Sequence, residues 1–397
     1  MLPSATASQC LYRFLAAILL WMATTYGTAA LAQQTRPERW DRATASTLVA
    51  YIERIGNHGL DPSDYQAAAL KEAIQAGDPV ALERQATASF GLVAEDLAIG
   101  HVRPGQRSRY YIAPNSLDPV LVARMIDVAI TAQQVSWVLD SFAPHNPEYD
   151  SLRAALAGPD GADPAKRVAL MASLERWRWF PHNAGSRYLL VNIPEYRLRL
   201  IETGKPVASH KVIVGQIGKQ TPQFQALVTG VILNPSWNVP PSIIAESVGR
   251  LVRSQPATAR SRGYTWSYRA GHLEVVQRPG PGNSLGQMKL DMPNPLTVFI
   301  HDTPSKELFD RPERTFSHGC IRTQDPLDLA QKLLADVGWD RARIDAVVAK
   351  RITTRVALGS PVPAYVVYMT AVPQPDGSIA YLKDPYKLDA ALAAKLN

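Results

Sequence analysis

The sequence predicts an α+β protein, in which an N-terminal α-helical region is followed by a β-rich region that carries a helical insertion. Three observations predict this fold class. Apolar residues recur at helical spacing over about 44–156, alternate with polar residues from 188 onwards, and return to helical spacing over 242–252. At 397 residues the chain is long enough for two domains that each bury a core of their own.

These patterns also predict where each segment begins and ends. Charged residues make up 19% of the chain and hydrophobic residues 46%, which is typical of a folded globular protein and excludes a disordered one. The expected segments are a signal peptide at 1–32, a helical scaffold domain at 33–157, a linker and connecting helix at 158–185, a β-rich domain at 186–385 and a C-terminal tail at 386–397.

The first residues are typical of an export signal. Arg13 supplies a weak positive charge, residues 14–23 are apolar, and Ala30-Leu31-Ala32 has the small-x-small pattern of a cleavage site. The apolar run is shorter than the roughly 20 residues that a membrane span needs. We therefore expect export with cleavage after Ala32, with an uncleaved N-terminal anchor as the alternative.

The helical region is expected to act as a scaffold. Its helical spacing is clearest in 48–55 and 80–99, and its scattered histidines, His58, His101 and His145, form no cluster of catalytic groups. A connecting helix should follow, because Asp163 can cap it and Pro164 suits its first turn. We expect this helix to end near Trp179, before Pro181.

The β-rich region should begin with a hairpin that turns at Pro194-Glu195. The expected strands are 188–193, 196–201, 207–214, 225–233, 272–277 and 296–301, with a last hairpin formed by 362–371 and 378–382. Helices are expected at 242–252 and 326–334. The first of these helices lies in an insertion, at about 236–271, that could fold over a site as a lid or be a surface excursion.

A candidate nucleophile lies in the stretch Ser317-His318-Gly319-Cys320-Ile321-Arg322, and His301-Asp302-Thr303 begins nineteen positions before the cysteine. Cys10 belongs to the predicted signal, so Cys320 has no partner for a disulfide in the mature chain. The thiolate is the attacking species, and a nearby imidazole lowers the cost of forming it. We therefore predict that Cys320 is a nucleophile and His301 its proton acceptor, with a buried inert cysteine as the alternative.

Residues next to the cysteine could complete this site. Gly319 permits a tight turn, whose backbone N–H groups could stabilise an oxyanion. His318 could line the same pocket. Arg322 lies two residues beyond the cysteine and could bind a substrate carboxylate, or form a structural ion pair instead.

The two motifs together resemble the signature of the YkuD-type L,D-transpeptidase catalytic domain. The stretches 174–179, 214–222, 234–240 and 281–286 resemble the YcbB-like branch found in Gram-negative bacteria, and the resemblance covers about 41–388. It implies a β-rich YkuD-type domain, a periplasmic location and no cofactor. It also implies that Cys320 is acylated, by the stem peptide or by a carbapenem, that His301 donates and accepts the proton, and that His318 and Gly319 complete the motif. The substrate-binding residues expected with them are Arg322, Asp302, Ser317, Asn234 and Trp237.

The resemblance further implies the substrate and the reaction. The thiolate would attack the carbonyl at the L-centre of diaminopimelate in a tetrapeptide stem and expel D-Ala, and an amine of a second stem would then form a 3→3 cross-link in peptidoglycan. Larger relatives carry a peptidoglycan-binding module where this chain has only the loop 158–164. Strand anchoring would therefore depend on other surfaces or on envelope partner proteins.

Other functions remain as alternatives. Water in place of the amine would make the chain an L,D-carboxypeptidase. The histidines with Cys320 and Asp302 could bind zinc, although no paired ligand motif supports a metal site. A non-catalytic envelope scaffold is the third alternative. The net charge of +7 suits an anionic polymer or peripheral association with a membrane, but no basic run or nucleic-acid motif predicts a nucleic-acid partner.

Overall fold

The N-terminal region is helical, as the spacing of its apolar residues predicts. The computed structural model describes residues 39–396, so the predicted signal peptide at 1–32 lies outside the described residues. The helices are α1 (Arg42–Glu53), α2 (Ala67–Ala76), α3 (Pro79–Ile99), α4 (Pro119–Thr131), α5 (Val135–Asp140) and α6 (Pro147–Ala157). Aspartate or asparagine side chains cap α1, α3, α4 and α6. No described helix is long and apolar enough to cross a bilayer.

The connecting helix α7 (Pro164–Trp179) lies against the core of the helical region. It begins as predicted, since the Asp163 side chain accepts hydrogen bonds from the first-turn amides. Its Glu175 and Arg178 side chains are both fully buried and form an ion pair at 2.6 Å. Arg178 also donates to the His58 carbonyl at 2.8 Å, and Glu175 accepts from the Val102 N–H at 2.7 Å. This pair therefore connects α7 to two loops of the helical region.

Replacing Glu175 with glutamine should destabilise the protein strongly. The buried Arg178 guanidinium would lose its counter-charge, and breaking such a pair typically costs about 3–5 kcal/mol. Thermal and urea unfolding would measure the loss. The control is Asp345→Asn, which breaks the exposed Arg341–Asp345 pair (2.8 Å) and should cost less than about 1 kcal/mol. Equal losses in the two variants would contradict a structural role for the buried pair.

The β-rich region is built on a ring of strands. The strands are β2 (Arg187–Asn192), β3 (Arg197–Glu202), β4 (Lys205–Gly215), β5 (Gln223–Leu233), β9 (Met288–Asp291), β10 (Ile300–His301), β12 (Ile321–Thr323) and β13 (Thr354–Val367). Hydrogen bonding follows the order β5-β13-β2-β3-β4-β12-β10-β9, and β9 then pairs with β5 and closes the ring. A short strand, β11 (Thr315–Ser317), pairs with β4 outside this path.

Apolar side chains from the ring and from a neighbouring helix form the second core. The helices on this side are α11 (Pro326–Leu334) and α12 (Arg341–Ala349). Leu198 and Leu200 of β3 are buried in the core while Arg197 and Arg199 are half-buried, as the alternation predicts. Leu333 of α11 lies in the same cluster. The helix predicted at 326–334 is confirmed.

The predicted strand at 296–301 is wrong over its first four residues. Only Ile300 and His301 form a strand. Thr297 has a φ of +53° and its N–H donates to the Asn294 carbonyl at 3.2 Å, while the Asn294 side chain donates to the Val298 carbonyl at 2.8 Å. These bonds hold a turn where the apolar residues predict extended backbone.

The helical insertion is present and has a small sheet of its own. Its elements are β6 (Trp237–Asn238), α8 (Pro241–Ile243), a π-helix (Ile244–Val248), α9 (Gly249–Ser254), α10 (Pro256–Ser261), β7 (Tyr264–Arg269) and β8 (His272–Gln277). The insertion extends to Gln277 and not to 271, because β8 pairs with both β6 and β7.

The two regions contact each other through strand pairing and through the end of the chain. Strand β1 (Tyr110–Tyr111), from the helical region, pairs in parallel with the first two residues of β5. After β13, the hairpin β14 (Ala371–Pro373) and β15 (Ile379–Tyr381) and helix α13 (Asp389–Ala393) follow. The hairpin predicted at 362–371 is thus displaced, because Val362–Val367 belong to β13.

The predicted C-terminal tail is packed over its described residues. Arg176 of α7 pairs with Asp389 at 2.6 Å, and both side chains are buried. Leu392 and Leu396 lie in the core of the helical region, while Tyr386 lies in the core of the ring. The last residues therefore join the two cores.

Candidate active site

The Cys320 segment is a tight turn that leads into β12. Gly319 has a φ of +115°, which favours glycine, and Cys320 follows it immediately. The Ser317 hydroxyl accepts from the Gly319 N–H at 3.1 Å and donates to the Cys320 carbonyl at 2.5 Å, and the Thr221 hydroxyl donates to the Gly319 carbonyl at 2.8 Å. These bonds hold the cysteine at the start of the strand.

The same bonds change the predicted roles of two residues. The buried Ser317 hydroxyl is engaged within the turn, so its contacts are structural and not those of a free substrate ligand. The Gly319 N–H donates to Ser317, so it is not free to bind an oxyanion. Among the hydrogen bonds of residues 39–396, none uses the Cys320 N–H. The Cys320 amide is therefore the better oxyanion donor in this turn.

Strand pairing places Cys320 and His301 on one face of the sheet. Strands β10 and β12 are parallel, with Ile300 opposite Ile321 and His301 opposite Arg322. Both isoleucines are fully buried in the core, so the alternation of side chains directs His301, Arg322 and Cys320 to the other face. By strand spacing, a diagonal pair on one face has Cβ atoms about 7–8 Å apart. The Cys320 thiol itself donates to the Thr297 carbonyl at 4.0 Å.

The buried His301 ring has a fixed orientation. Its Nδ1 donates to the Asp302 carbonyl at 2.5 Å, which leaves Nε2 as the nitrogen that can accept a proton. Burial, together with the positive charges of Arg322 and Lys289, lowers the pKa of His301 to about 3, although the hydrogen bond to the Asp302 carbonyl opposes this fall. The imidazole is therefore neutral at ordinary pH.

Burial also disfavours charge on the thiol. It raises the pKa of Cys320, while the Phe299 backbone, Lys289 and Arg322 oppose this rise. The neutral thiol and the neutral imidazole are thus the favoured resting pair. Chemically, such a pair can pass the thiol proton to Nε2 as the sulfur attacks an acyl group.

Asp302 supports the loop that holds His301. Its buried carboxylate accepts from the Gln287 N–H at 2.8 Å and from the Thr303 N–H at 2.7 Å, and it pairs with Lys306. Gly286 has a φ of +62°, and a Cβ added there would lie 2.2 Å from this carboxylate. These contacts support the loop, and the substrate contact that the resemblance implies for Asp302 stays a prediction.

Asn234 also has a structural role, and its expected substrate contact stays a prediction. It is buried, and its side chain donates to the Val347 and Val348 carbonyls of α12 at 3.0 and 3.2 Å. These bonds tie the end of β5 to the end of α12. Trp237 is half-buried on β6 and packs against the apolar cluster of the insertion.

The insertion reaches the cysteine motif through Glu246. His318 Nε2 lies 3.1 Å from the Glu246 carboxylate, and the same carboxylate pairs with Lys219. Glu246 lies on the π-helix of the insertion. The sequence carries no pattern that would have singled out Glu246 or Lys219, because their contact depends on how the insertion folds back.

Two cations lie on the same face as the thiol. Arg322 is half-buried and forms no ion pair among residues 39–396, so the structural ion pair considered as its alternative role is not found there. Lys289 of β9 lies opposite His301, and its Nζ lies 3.5 Å from the centroid of the Phe299 ring. The place of Lys289 at this site was not predicted from the sequence. Its only signal is one polar residue between apolar Met288 and Leu290.

No group of three or more histidine, cysteine, aspartate or glutamate residues that could hold a metal ion occurs in the part of the chain that the structure describes. The chemistry available on this face is that of a thiol, an imidazole and two cations. Such a set suits nucleophilic attack on an acyl group more than metal binding.

Comparison with known proteins agrees with this chemistry. The L,D-transpeptidase catalytic domain family, YkuD, matches residues 186–363, and the Scaffold domain family matches residues 35–156. A Haemophilus influenzae protein with the provisional name of an L,D-transpeptidase is 30% identical over 238 residues, which are 55% of this chain and 48% of that protein. The chain thus spans about half the length of this curated relative.

Solved structures give weaker likenesses. An L,D-transpeptidase from Mycobacterium smegmatis is 14% identical with a TM-score of 0.26, over 46% of this chain and 58% of that one. An Enterococcus faecium L,D-transpeptidase is 13% identical with a TM-score of 0.23, over 46% of this chain and 50% of that one. TM-scores this low support no argument about this chain. The two family matches identify the domains of this chain, which are a Scaffold domain at 35–156 followed by a YkuD L,D-transpeptidase catalytic domain at 186–363.

Proposed function

We propose that this protein is a peptidoglycan L,D-transpeptidase that forms 3→3 cross-links through a thioester on Cys320. The observation that carries the proposal is the placement of Cys320 and His301 on one face of adjacent parallel strands, within the segment that matches the catalytic-domain family. A thiol next to a proton acceptor is what acyl transfer requires.

The first half-reaction forms the acyl-enzyme. The Cys320 sulfur attacks the carbonyl at the L-centre of diaminopimelate in a tetrapeptide stem, and His301 Nε2 takes the thiol proton. The oxyanion that forms accepts a hydrogen bond from the Cys320 N–H, a type of contact whose loss typically costs about 3–4 kcal/mol. The bond to the terminal D-Ala then breaks. His301 returns the proton to the departing amine, and the stem remains as a thioester.

The second half-reaction transfers the stem. The side-chain amine of a second stem attacks the thioester carbonyl, His301 accepts a proton from that amine, and the sulfur leaves as a thiol after receiving the proton. The product is an amide between two stems at their third residues. We assign Arg322 to a carboxylate of the donor stem, because its guanidinium lies on this face without an ion pair in the described chain.

The insertion would act as a lid in this reaction. Glu246 contacts His318 two residues before the nucleophile, so the insertion lies next to the thiol.

We propose that the protein acts in the periplasm, because residues 1–32 are typical of an export signal and because the proposed substrate is peptidoglycan. The net charge of +7 suits the anionic cell wall polymer and the bilayer surface near it.

Product analysis tests the proposed function. The protein is incubated with purified disaccharide-tetrapeptides, and the products are separated and identified by their masses. Cross-linked dimers with release of D-Ala are expected. Free tripeptide without dimers would instead show an L,D-carboxypeptidase, and no product from a folded protein would contradict both activities. Loss of activity with a chelator would favour the metal alternative.

A further inference from the structure

Lys289 occupies a defined place beside the candidate nucleophile. It lies on β9 between Met288 and Leu290, whose side chains are fully buried in the core, so Lys289 points to the face of His301. Its Nζ lies 3.5 Å from the centroid of Phe299, which is close enough for a cation–π interaction. Phe299 immediately precedes β10, the strand that carries His301.

The position of Phe299 brings the ammonium towards the thiol. Strands β10 and β12 pair from Ile300 and Ile321 onwards, so Phe299 and Cys320 are the residues that immediately precede the two paired strands. The Ile321 N–H donates to the Phe299 carbonyl at 2.9 Å, so the backbone of Phe299 lies beside the segment that carries Cys320. Phe299 thus contacts Lys289 through its ring and the cysteine segment through its backbone.

Apart from Arg322, which also opposes the rise in the pKa of Cys320, no other charged group near the thiol supplies a comparable positive charge. His301 is neutral because burial lowers its pKa to about 3. The imidazole of His318 faces the Glu246 carboxylate, which also pairs with Lys219. Arg322 is the second cation on the face. The carboxylate nearest to Lys289 along its strand belongs to Asp291, and Arg355 binds it at 2.6 Å.

Lys289 itself forms no ion pair among residues 39–396. Its ammonium and the thiol are electrostatically coupled. Lys289 opposes the rise that burial causes in the pKa of Cys320, and Cys320 opposes the fall that burial causes in the pKa of Lys289. A free positive charge of this kind favours a thiolate over a thiol.

We propose that Lys289 is a positioning residue that supplies the positive charge stabilising the Cys320 thiolate, and that the Phe299 ring holds its ammonium in place for this purpose. The inference rests on the proposed function, since it assigns the activating charge of the same nucleophile. It also explains how a thiol beside a neutral imidazole can reach its reactive form.

The test measures the rate of Cys320 alkylation by iodoacetamide against pH, in the absence of any stem peptide. In Lys289→Met we expect the midpoint of the curve of alkylation rate against pH to rise by about one pH unit. At pH values below the midpoints of both the wild type and the variant, alkylation of the variant should be slower by about tenfold. Lys289→Arg keeps the charge and should restore most of the rate. The matched control is Lys205→Met, which removes an exposed strand lysine at the start of β4 and should leave the profile unchanged.

An unchanged midpoint in a folded Lys289→Met protein would overturn the proposal. Phe299→Leu provides a second test that keeps the lysine, and we expect a smaller rise in the midpoint, because the ammonium loses its aromatic contact. If Lys289→Met does not fold, an unchanged midpoint in Phe299→Leu overturns the proposal that the Lys289 ammonium, held by the Phe299 ring, stabilises the thiolate. Alkylation needs no substrate, so a wild-type protein that makes no cross-links would contradict the proposed function and leave this result intact.

Discussion

A protein with Cys320→Ala should form no covalent adduct with a carbapenem and should make cross-links about 10⁴–10⁶-fold more slowly than the wild type, as expected for the loss of a catalytic nucleophile. Without the sulfur no thioester can form, and His301 has no thiol proton to accept. Intact-mass measurement after incubation with the carbapenem reads out the adduct directly. Product analysis with disaccharide-tetrapeptides reads out the cross-linking rate.

Two further variants make the result specific. Cys320→Ser keeps the size of the side chain but replaces the thiol with a much weaker nucleophile, so it should also lack the adduct. Ser151→Ala, on an exposed side of α6, should behave as the wild type. If Cys320→Ala cross-links as fast as the wild type, the protein acts through another nucleophile. If neither the wild type nor Cys320→Ala makes cross-links or forms an adduct, the protein is a non-catalytic scaffold.

His301→Gln should slow acylation by about 10²–10⁴-fold, the usual contribution of a positioned acid–base group. Glutamine can still donate a hydrogen bond to the Asp302 carbonyl, but it cannot accept the thiol proton. The measurement is the rate of carbapenem adduct formation, followed by mass at several pH values. Because the pKa of His301 is lowered to about 3, its imidazole stays neutral from weakly acidic pH upwards, and the wild-type rate should not fall through its protonation near neutrality.

The control for this variant is His145→Gln. His145 is exposed in the helical region, where its Nε2 lies 2.9 Å from the Ser141 carbonyl, and its loss should not change the rate. The thiol sets the remaining pH dependence. Burial raises the pKa of Cys320, so the rate should increase as pH rises through the neutral range. A His301→Gln protein that is acylated at the wild-type rate would exclude this residue as the proton acceptor.

Local features of the chain were predictable from the sequence alone. The helix at Pro164–Trp179 begins at the predicted cap because Asp163 and Pro164 act within one turn. Strands β2 to β5 follow from the alternation of side chains, which needs no information from distant residues. Cys320 and His301 could be selected because their residue types and spacing indicate the chemistry.

Features that depend on distant contacts could not be predicted. Lys289 becomes part of the site only through the pairing of β9 with β10, and nothing in its neighbours along the chain indicates that pairing. The resemblance predicts that Asp302 and Asn234 bind substrate, whereas their hydrogen-bond partners in the structure include backbone groups far away in the sequence or across a turn. The residue types of Asp302 and Asn234 suit substrate binding and loop support equally, and only the fold distinguishes the two roles.

The pairing of β1 with β5 has a consequence for modularity. Strand β9 covers one side of β5 only at its far end, from Gly230 to Leu233, while Tyr110 and Tyr111 cover the same side at its beginning. A catalytic segment cut away from the helices would carry bare amide and carbonyl groups at that position, an open edge that invites pairing with other chains. It would also lose the helices against which Leu392 and Leu396 are buried. We therefore expect that the catalytic segment will not fold stably when it is separated from the helical region.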